Sequence, residues 1–134
     1  MVSGAISGVG TVFKRNAVAL AEVNSISGPN RTRDTIDVTT LDSTGGYREF
    51  IGGFRDGGEV VLDMNYTRAG FDSLNTDFEN NTTAQTYVIV MSDTGATEFS
   101  FSGWVTALGK SIPLDDKVTM SCTIKIDGQI TETS

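Results

Sequence analysis

The chain has 134 residues, the length of one domain, and its 38% hydrophobic and 20% charged content is that of a globular protein. Seventeen acidic residues outnumber ten scattered basic ones, which argues against tight nucleic-acid binding, because such binding depends on clustered cations. The absence of histidine and the single cysteine, Cys122, exclude the commonest catalytic base and an internal disulfide framework. We expect one domain over 1–134.

The N-terminal residues 1–17 are studded with glycine and weakly patterned, so we expect an N-terminal arm outside the packed structure. They lack the charge-first order of a secretion signal, and no apolar run in the chain reaches the ~18 residues that span a bilayer. We therefore expect no membrane partner. Weak strand patterns follow at about 19–27 and 34–41.

The segment 42–58 combines six glycines with four large apolar side chains, which is unusual for a loop. The four are Tyr47, Phe50, Ile51 and Phe54. Each gains roughly 1.5–3 kcal/mol on full burial, so these side chains either fold back on their own domain or bury against a neighbouring molecule. Because glycine makes ordering costly, we favour a long loop that is mobile in the monomer and ordered by a partner.

The second half of the chain shows strict alternation of apolar and polar residues, which predicts strands with one buried face. The alternating segments are 60–66, 99–107 and 118–126. A short apolar run at 87–91 has the composition of a further strand.

One helix of about ten residues is predicted where Phe71, Leu74 and Phe78 form a stripe with helical spacing, before Asn80 and Asn81 end it. Six or so strands and one helix indicate a mainly β protein. We predict a β-sandwich or barrel-like fold with one short flanking α-helix and a long inter-subunit loop.

The sequence offers no candidate for catalysis, for a cofactor or for a metal. Cys122 lies on the inward phase of a strand, which is typical of an inert core thiol. Asp115 and Asp116 follow Pro113, and turn chemistry explains them better than a metal site does. We therefore expect a protein that is not an enzyme.

The run RDTIDVTTLDSTGGYREFIGGFRDGGEV (33–60) resembles the major tail tube proteins of long-tailed bacteriophages. The resemblance extends to AEVNSISGP (21–29), to the predicted helix at about 69–79 and to IPLDDKVTMSCTIKIDG (112–128). It implies a fold shared with the inner tubes of contractile tails. It also implies a structural subunit that assembles into stacked hexameric rings, forming the tube through which DNA is ejected.

The resemblance further implies that the tube meets a tape-measure protein, a tail-tip initiator and a tail terminator, and that double-stranded DNA passes through without specific binding. The protein would reside in the virion tail, and in the host cytoplasm before assembly. The loop at 42–58 would contact the adjacent ring. The expected contact residues are Tyr47, Arg48, Phe50, Ile51, Phe54 and Arg55.

Acidic residues on the outward phase of the strands suggest a bore that does not hold DNA, since carboxylates offer DNA no counterion release. Candidates for this lumen lining are Glu59, Asp63 and Glu98, with ordinary solvated surface as the alternative. Two other functions stay open at this point. One is the inner tube of a contractile injection system, and the other is a β-sandwich binding or decoration module.

Overall fold

The computed structural model describes residues 8–20 and 22–133, which form a mainly β structure with one helix, as the sequence predicts. The helix α1 spans Arg68–Glu79. The strands are β1 (Val12–Arg15), β2 (Val18–Ala19), β3 (Val23–Ser27), β4 (Thr32–Asp37), β5 (Phe50–Asp56), β6 (Glu59–Asn65), β7 (Gln85–Val90), β8 (Glu98–Ser111) and β9 (Thr119–Thr133).

Seven of the strands form one curled antiparallel sheet in the order β2-β1-β7-β8-β9-β6-β3. The two remaining strands, β4 and β5, pair with each other in a separate two-stranded ribbon. The long strands β8 and β9 form the middle of the sheet. The fold is thus closer to a half-barrel than to two facing sheets.

The core lies on one face of the sheet, because the predicted alternation places every second apolar side chain there. Helix α1 packs on this face and buries Leu74. Its first turn is capped by Thr67, whose Oγ1 accepts a hydrogen bond from the N–H of Gly70 at 3.1 Å. The buried strand residues are Phe13, Val60, Leu62, Met64, Tyr87, Ile89, Phe101, Val105, Met120, Cys122, Ile124 and Ile126.

The prediction that residues 1–17 lie outside the packed structure is wrong for Val12–Arg15. These residues form β1 and pair with β7. Phe13 is fully buried, and its ring stacks on Tyr87 with 5.7 Å between centroids. A four-residue strand among glycines is too short to show a period, so the sequence pattern hides it. Residues 1–7 of the predicted arm lie outside the described residues.

The expectation of a long loop over 42–58 is wrong for Phe50–Asp56, which forms strand β5. It pairs with β4, which is shorter than the predicted strand at 34–41 and begins earlier. Together they form a hairpin over 32–56, called here the stacking hairpin. At its root Gly58 has a φ of +79°, and a Cβ there would collide with the carbonyl oxygen of Asn30, so the approach of the two chains requires glycine.

Candidate assembly surfaces

The stacking hairpin carries its apolar side chains in the open. Phe54 is 91% exposed, Tyr47 77%, Phe50 54% and Ile51 52%. No residue of β4 or β5 is buried. Of the two possibilities that the sequence left open for these four side chains, the structure therefore disfavours folding back on their own sheet.

The tip of the stacking hairpin is held by local polar contacts. The Oδ1 of Asp37 accepts a hydrogen bond from the N–H of Thr39 at 2.8 Å, and Arg48 Nη1 lies 3.1 Å from Asp37 Oδ2. The Thr39 Oγ1 accepts in turn from the N–H of Glu49 at 2.7 Å. Hydrogen bonds from Thr39, helped by Arg48, lower the pKa of the Asp37 carboxyl below its ordinary value. These contacts shape the tip, while its mobility in the monomer stays a prediction.

All six residues predicted to contact the adjacent ring lie on this hairpin. Arg48 is paired with Asp37 at the tip, as described above. Arg55 lies directly opposite Arg33 in the β4–β5 register, and both are exposed. Neither Arg33 nor Arg55 forms an ion pair within the described part of the chain. The hairpin therefore presents apolar and cationic side chains together.

The root of the stacking hairpin is joined to β9 by an ion pair. Lys125 Nζ lies 3.0 Å from Asp56 Oδ1, which also accepts the N–H of Gly58 at 2.8 Å. The Gly58 N–H and the Lys125 ammonium lower the pKa of the Asp56 carboxyl. Both side chains are substantially exposed, so the pair orients the hairpin more than it stabilises the fold.

The sheet face opposite α1 is open, and the three predicted lumen residues share it. Glu59 and Asp63 alternate with fully buried residues of β6 and are exposed. Glu98 has the opposite phase to buried Phe101 on β8 and so lies on the same open face. Glu59 is directly opposite Lys125 in the sheet. Residues that line the lumen of one tube must lie on the same face of the subunit, and these three do.

A second exposed apolar surface lies in the turn between β8 and β9, residues 112–118, which the sequence analysis did not select. Ile112 and Leu114 are 74% and 97% exposed there. Every residue from 112 to 117 is exposed. The sequence signal for this surface is the presence of two aliphatic residues in a turn that also carries aspartates.

The structure places Cys122 in the core, as predicted, where burial raises the pKa of its thiol to about 12. Across residues 8–20 and 22–133, no group of three or more potential metal ligands comes together. Within the same ranges, no helix has the length and apolar character needed to cross a membrane.

The sequence matches the family described as "Lambda phage tail tube protein, TTP" over residues 8–133. The chain belongs to this tail tube protein family. It is a structural tube subunit, which fits the expectation that it is not an enzyme and argues against a decoration module. No curated protein sequence matches the chain.

Solved tail tubes share the fold of this tail tube protein at low sequence identity. The tail of an empty gene transfer agent (GTA) particle, refined with C6 symmetry, has a TM-score of 0.79 at 17% identity, over 97% of this chain and all of that chain. The PVC sheath-tube complex of an extracellular contractile injection system gives 0.74 at 17%, over 99% and 94%. The SPP1 tail tube gives 0.61 at 10%, over 91% and 74%.

Proposed function

We propose that this tail tube protein forms hexameric rings that stack into a phage tail tube, with the stacking hairpin of each subunit contacting the adjacent ring. The exposure of Tyr47, Phe50, Ile51 and Phe54 on a ribbon that stands off the sheet carries this proposal. Full burial of an exposed side chain such as Phe54 contributes roughly 1.5–3 kcal/mol, and the half-exposed Phe50 and Ile51 gain correspondingly less. A neighbouring ring supplies that burial, and an isolated subunit does not.

Ring closure would use the edges of the seven-stranded sheet. Strand β3 is an edge strand, and its outer edge pairs with no other strand of the described chain. Its side chains include Asn24, Ser25 and Ser27, without the lysines that usually protect an edge from pairing. Strand β2 forms the opposite edge. Edge pairing between neighbours would continue the sheet around the ring.

The open face of the sheet would line the bore, with Glu59, Asp63 and Glu98 turned towards the passing DNA. Carboxylates give DNA no counterion release, so the DNA would slide without binding specifically. Helix α1, on the other face, would then form the outside of the tube. Stacked rings of subunits in this orientation would enclose a channel with a polar wall.

Similar solved tubes support the proposed sixfold symmetry and a terminator partner. The GTA tail that shares this fold was refined with C6 symmetry, and a PVC sheath/tube terminator shares it with a TM-score of 0.77. We expect a tape-measure protein, a tail-tip initiator and a tail terminator to act with the tube. The protein would be in the host cytoplasm before assembly and in the virion tail afterwards.

The inner tube of a contractile injection system is the second candidate, because the PVC tube shares this fold. The family match to a lambda phage tail tube protein favours the non-contractile tail. A gene for a sheath protein beside the gene for this chain would favour the contractile alternative.

Negative-stain electron microscopy of the concentrated purified protein tests the proposal. We expect rings or tubes of uniform width, with sixfold symmetry in end-on views. Discrete monomers at every concentration and ionic strength would contradict it. Ionic strength is varied because each subunit carries a net charge of −7, and salt screens repulsion between like subunits over about 8 Å at physiological concentration.

A further inference from the structure

The two ends of the subunit each carry an almost fully exposed apolar side chain, with exposed arginines near it at one end and exposed aspartates near it at the other. The stacking hairpin presents Phe54 next to Arg55. The turn at 112–118, called here the acidic turn, presents Leu114 next to Asp115 and Asp116. Within a hairpin of mixed charge, these arginines are therefore the local electrostatic complement of the two aspartates of the turn.

The register of β6 and β9 places these two surfaces at opposite ends of the sheet. In this register, Glu59 lies opposite Lys125 at the end of the sheet where the stacking hairpin leaves it. Asn65 lies opposite Thr119 at the other end, where the acidic turn joins β9. The seven residues of β6 separate the two ends by about 20 Å. When identical copies stack head to tail, surfaces on opposite ends are the ones that meet.

The arginines of one end and the aspartates of the other form no ion pair within residues 8–20 and 22–133. Arg33 and Arg55, called here the arginine pair, lie directly opposite each other, an arrangement that destabilises a strand pair. Asp34 follows Arg33 but forms no ion pair with either arginine, and Asp115 and Asp116 form none in the described chain. Lys117 donates its backbone N–H to Asp116 Oδ1 at 2.7 Å, which fixes that carboxylate.

We propose that the acidic turn of one subunit receives the stacking hairpin of a subunit in the next ring. The arginine pair then meets the carboxylates of the turn, and Phe54 packs against Leu114. This inference rests on the proposed function and adds the receiving surface of the ring-to-ring junction. A second copy of this chain is the occupant because it brings both the complementary charge and the complementary position.

Two charge-reversed proteins test the pairing. The hairpin variant is Arg33→Glu with Arg55→Glu, and the turn variant is Asp115→Arg with Asp116→Arg. All four positions are exposed, so the monomers should keep their fold, which circular dichroism and thermal melting check. The matched control reverses two exposed acids of the helix, Asp72→Arg with Glu79→Arg.

Each variant alone should put repelling charges at every junction, so we expect the fraction of protein that sediments as tubes to fall about tenfold or more. An equimolar mixture should form tubes again, since each reversed surface finds its complement on the other protein. The pellet should then contain the two proteins in equal amounts. The helix control should sediment like the wild type.

Tubes from the turn variant alone, or failure of the mixture to recover sedimentation, would overturn the inference. Failure of the proposed function looks different, because wild-type protein would then form no tubes. If the hairpin variant forms no tubes while the turn variant assembles normally, the hairpin still takes part in stacking. The surface that receives it is then not the acidic turn.

Discussion

Arg15 of β1 and Asp77 of α1, 62 residues apart in sequence, form a two-pronged ion pair beneath the helix. Arg15 Nε and Nη2 each lie 2.7 Å from a carboxylate oxygen of Asp77, and the Tyr87 hydroxyl donates to the same carboxylate at 2.7 Å. Asp77 is buried, and its interaction raises the pKa of the Arg15 guanidinium. The pair fixes the helix to the edge half of the sheet.

Replacing this carboxylate should destabilise the fold. Asp77→Asn leaves Arg15 without its charged partner, and we expect the free energy of unfolding to fall by about 3 kcal/mol. Urea denaturation followed by the fluorescence of Trp104, the one tryptophan, measures it. Asp72→Asn is the control, because its 3.7 Å contact with Arg68 is exposed and should contribute less than about 0.5 kcal/mol. Equal effects of the two variants would contradict the structural role of Asp77.

The strands and the helix of the core could be predicted from the sequence because each is long enough to show a clear period of apolar residues. Met120, Cys122 and Ile124 alternate over a full strand and are buried as predicted. Leu74 lies in the helical stripe and is buried too, whereas Phe78 from the same stripe is 46% exposed at the edge of the contact. Period alone gives the buried side of an element, and neighbouring elements decide how far it is covered.

The rest of the structure depends on partners that are distant in the sequence. Val12–Arg15 is a strand because β7 pairs with it, and Arg15 finds Asp77 only in the folded chain. Phe50–Asp56 contains two adjacent glycines, which weaken a strand, yet pairing with β4 makes it one. Exposed Leu114 could not be placed opposite the stacking hairpin before the register of β6 and β9 was known.

Cys122 gives the stability a dependence on alkaline pH. Burial raises the pKa of its thiol from 9.0 to about 12, so above pH 9 the unfolded chain releases the proton while the folded chain retains it. This contribution to stability is complete below pH 9 and is lost as the pH rises from 9 to 12. Burial also raises the pKa of Tyr87, which acts in the same direction. Cys122→Ala should therefore lose less stability between pH 8 and pH 10.5 than wild type in urea titrations, and an identical loss would contradict the assignment.

Phe54→Asp should leave the monomer folded and prevent stacking. Its side chain is 91% exposed, so the substitution costs the subunit little, whereas at the junction it removes roughly 1.5–3 kcal/mol of burial per subunit and adds a charge. Sedimentation and electron microscopy should show rings without long tubes. Asn75→Asp on the exposed face of α1 is the control with the same added charge and should form tubes. Tubes of normal length from the Phe54 variant would remove the hairpin from the interface.

Thiol labelling tests which face lines the bore. Ser121→Cys places a thiol on the open face opposite Asp63, and Asn75→Cys places one on the exposed side of α1. In assembled tubes a small maleimide should label both, while a maleimide carried on a bead should label the helix position alone. The buried Cys122 should contribute no background. Bead labelling at position 121 equal to that at 75 would place the open sheet face outside the tube.

Hydroxyl-radical footprinting of monomer and tube is the most direct test of the central claim, that the apolar side chains of the stacking hairpin are buried by another copy of the chain. The account predicts strong oxidation of Tyr47, Phe50 and Phe54 in the monomer and protection of all three in the tube. Oxidation of Phe78, on the helix, should stay the same in both states. Equal oxidation of the hairpin aromatics in monomer and tube would contradict the account.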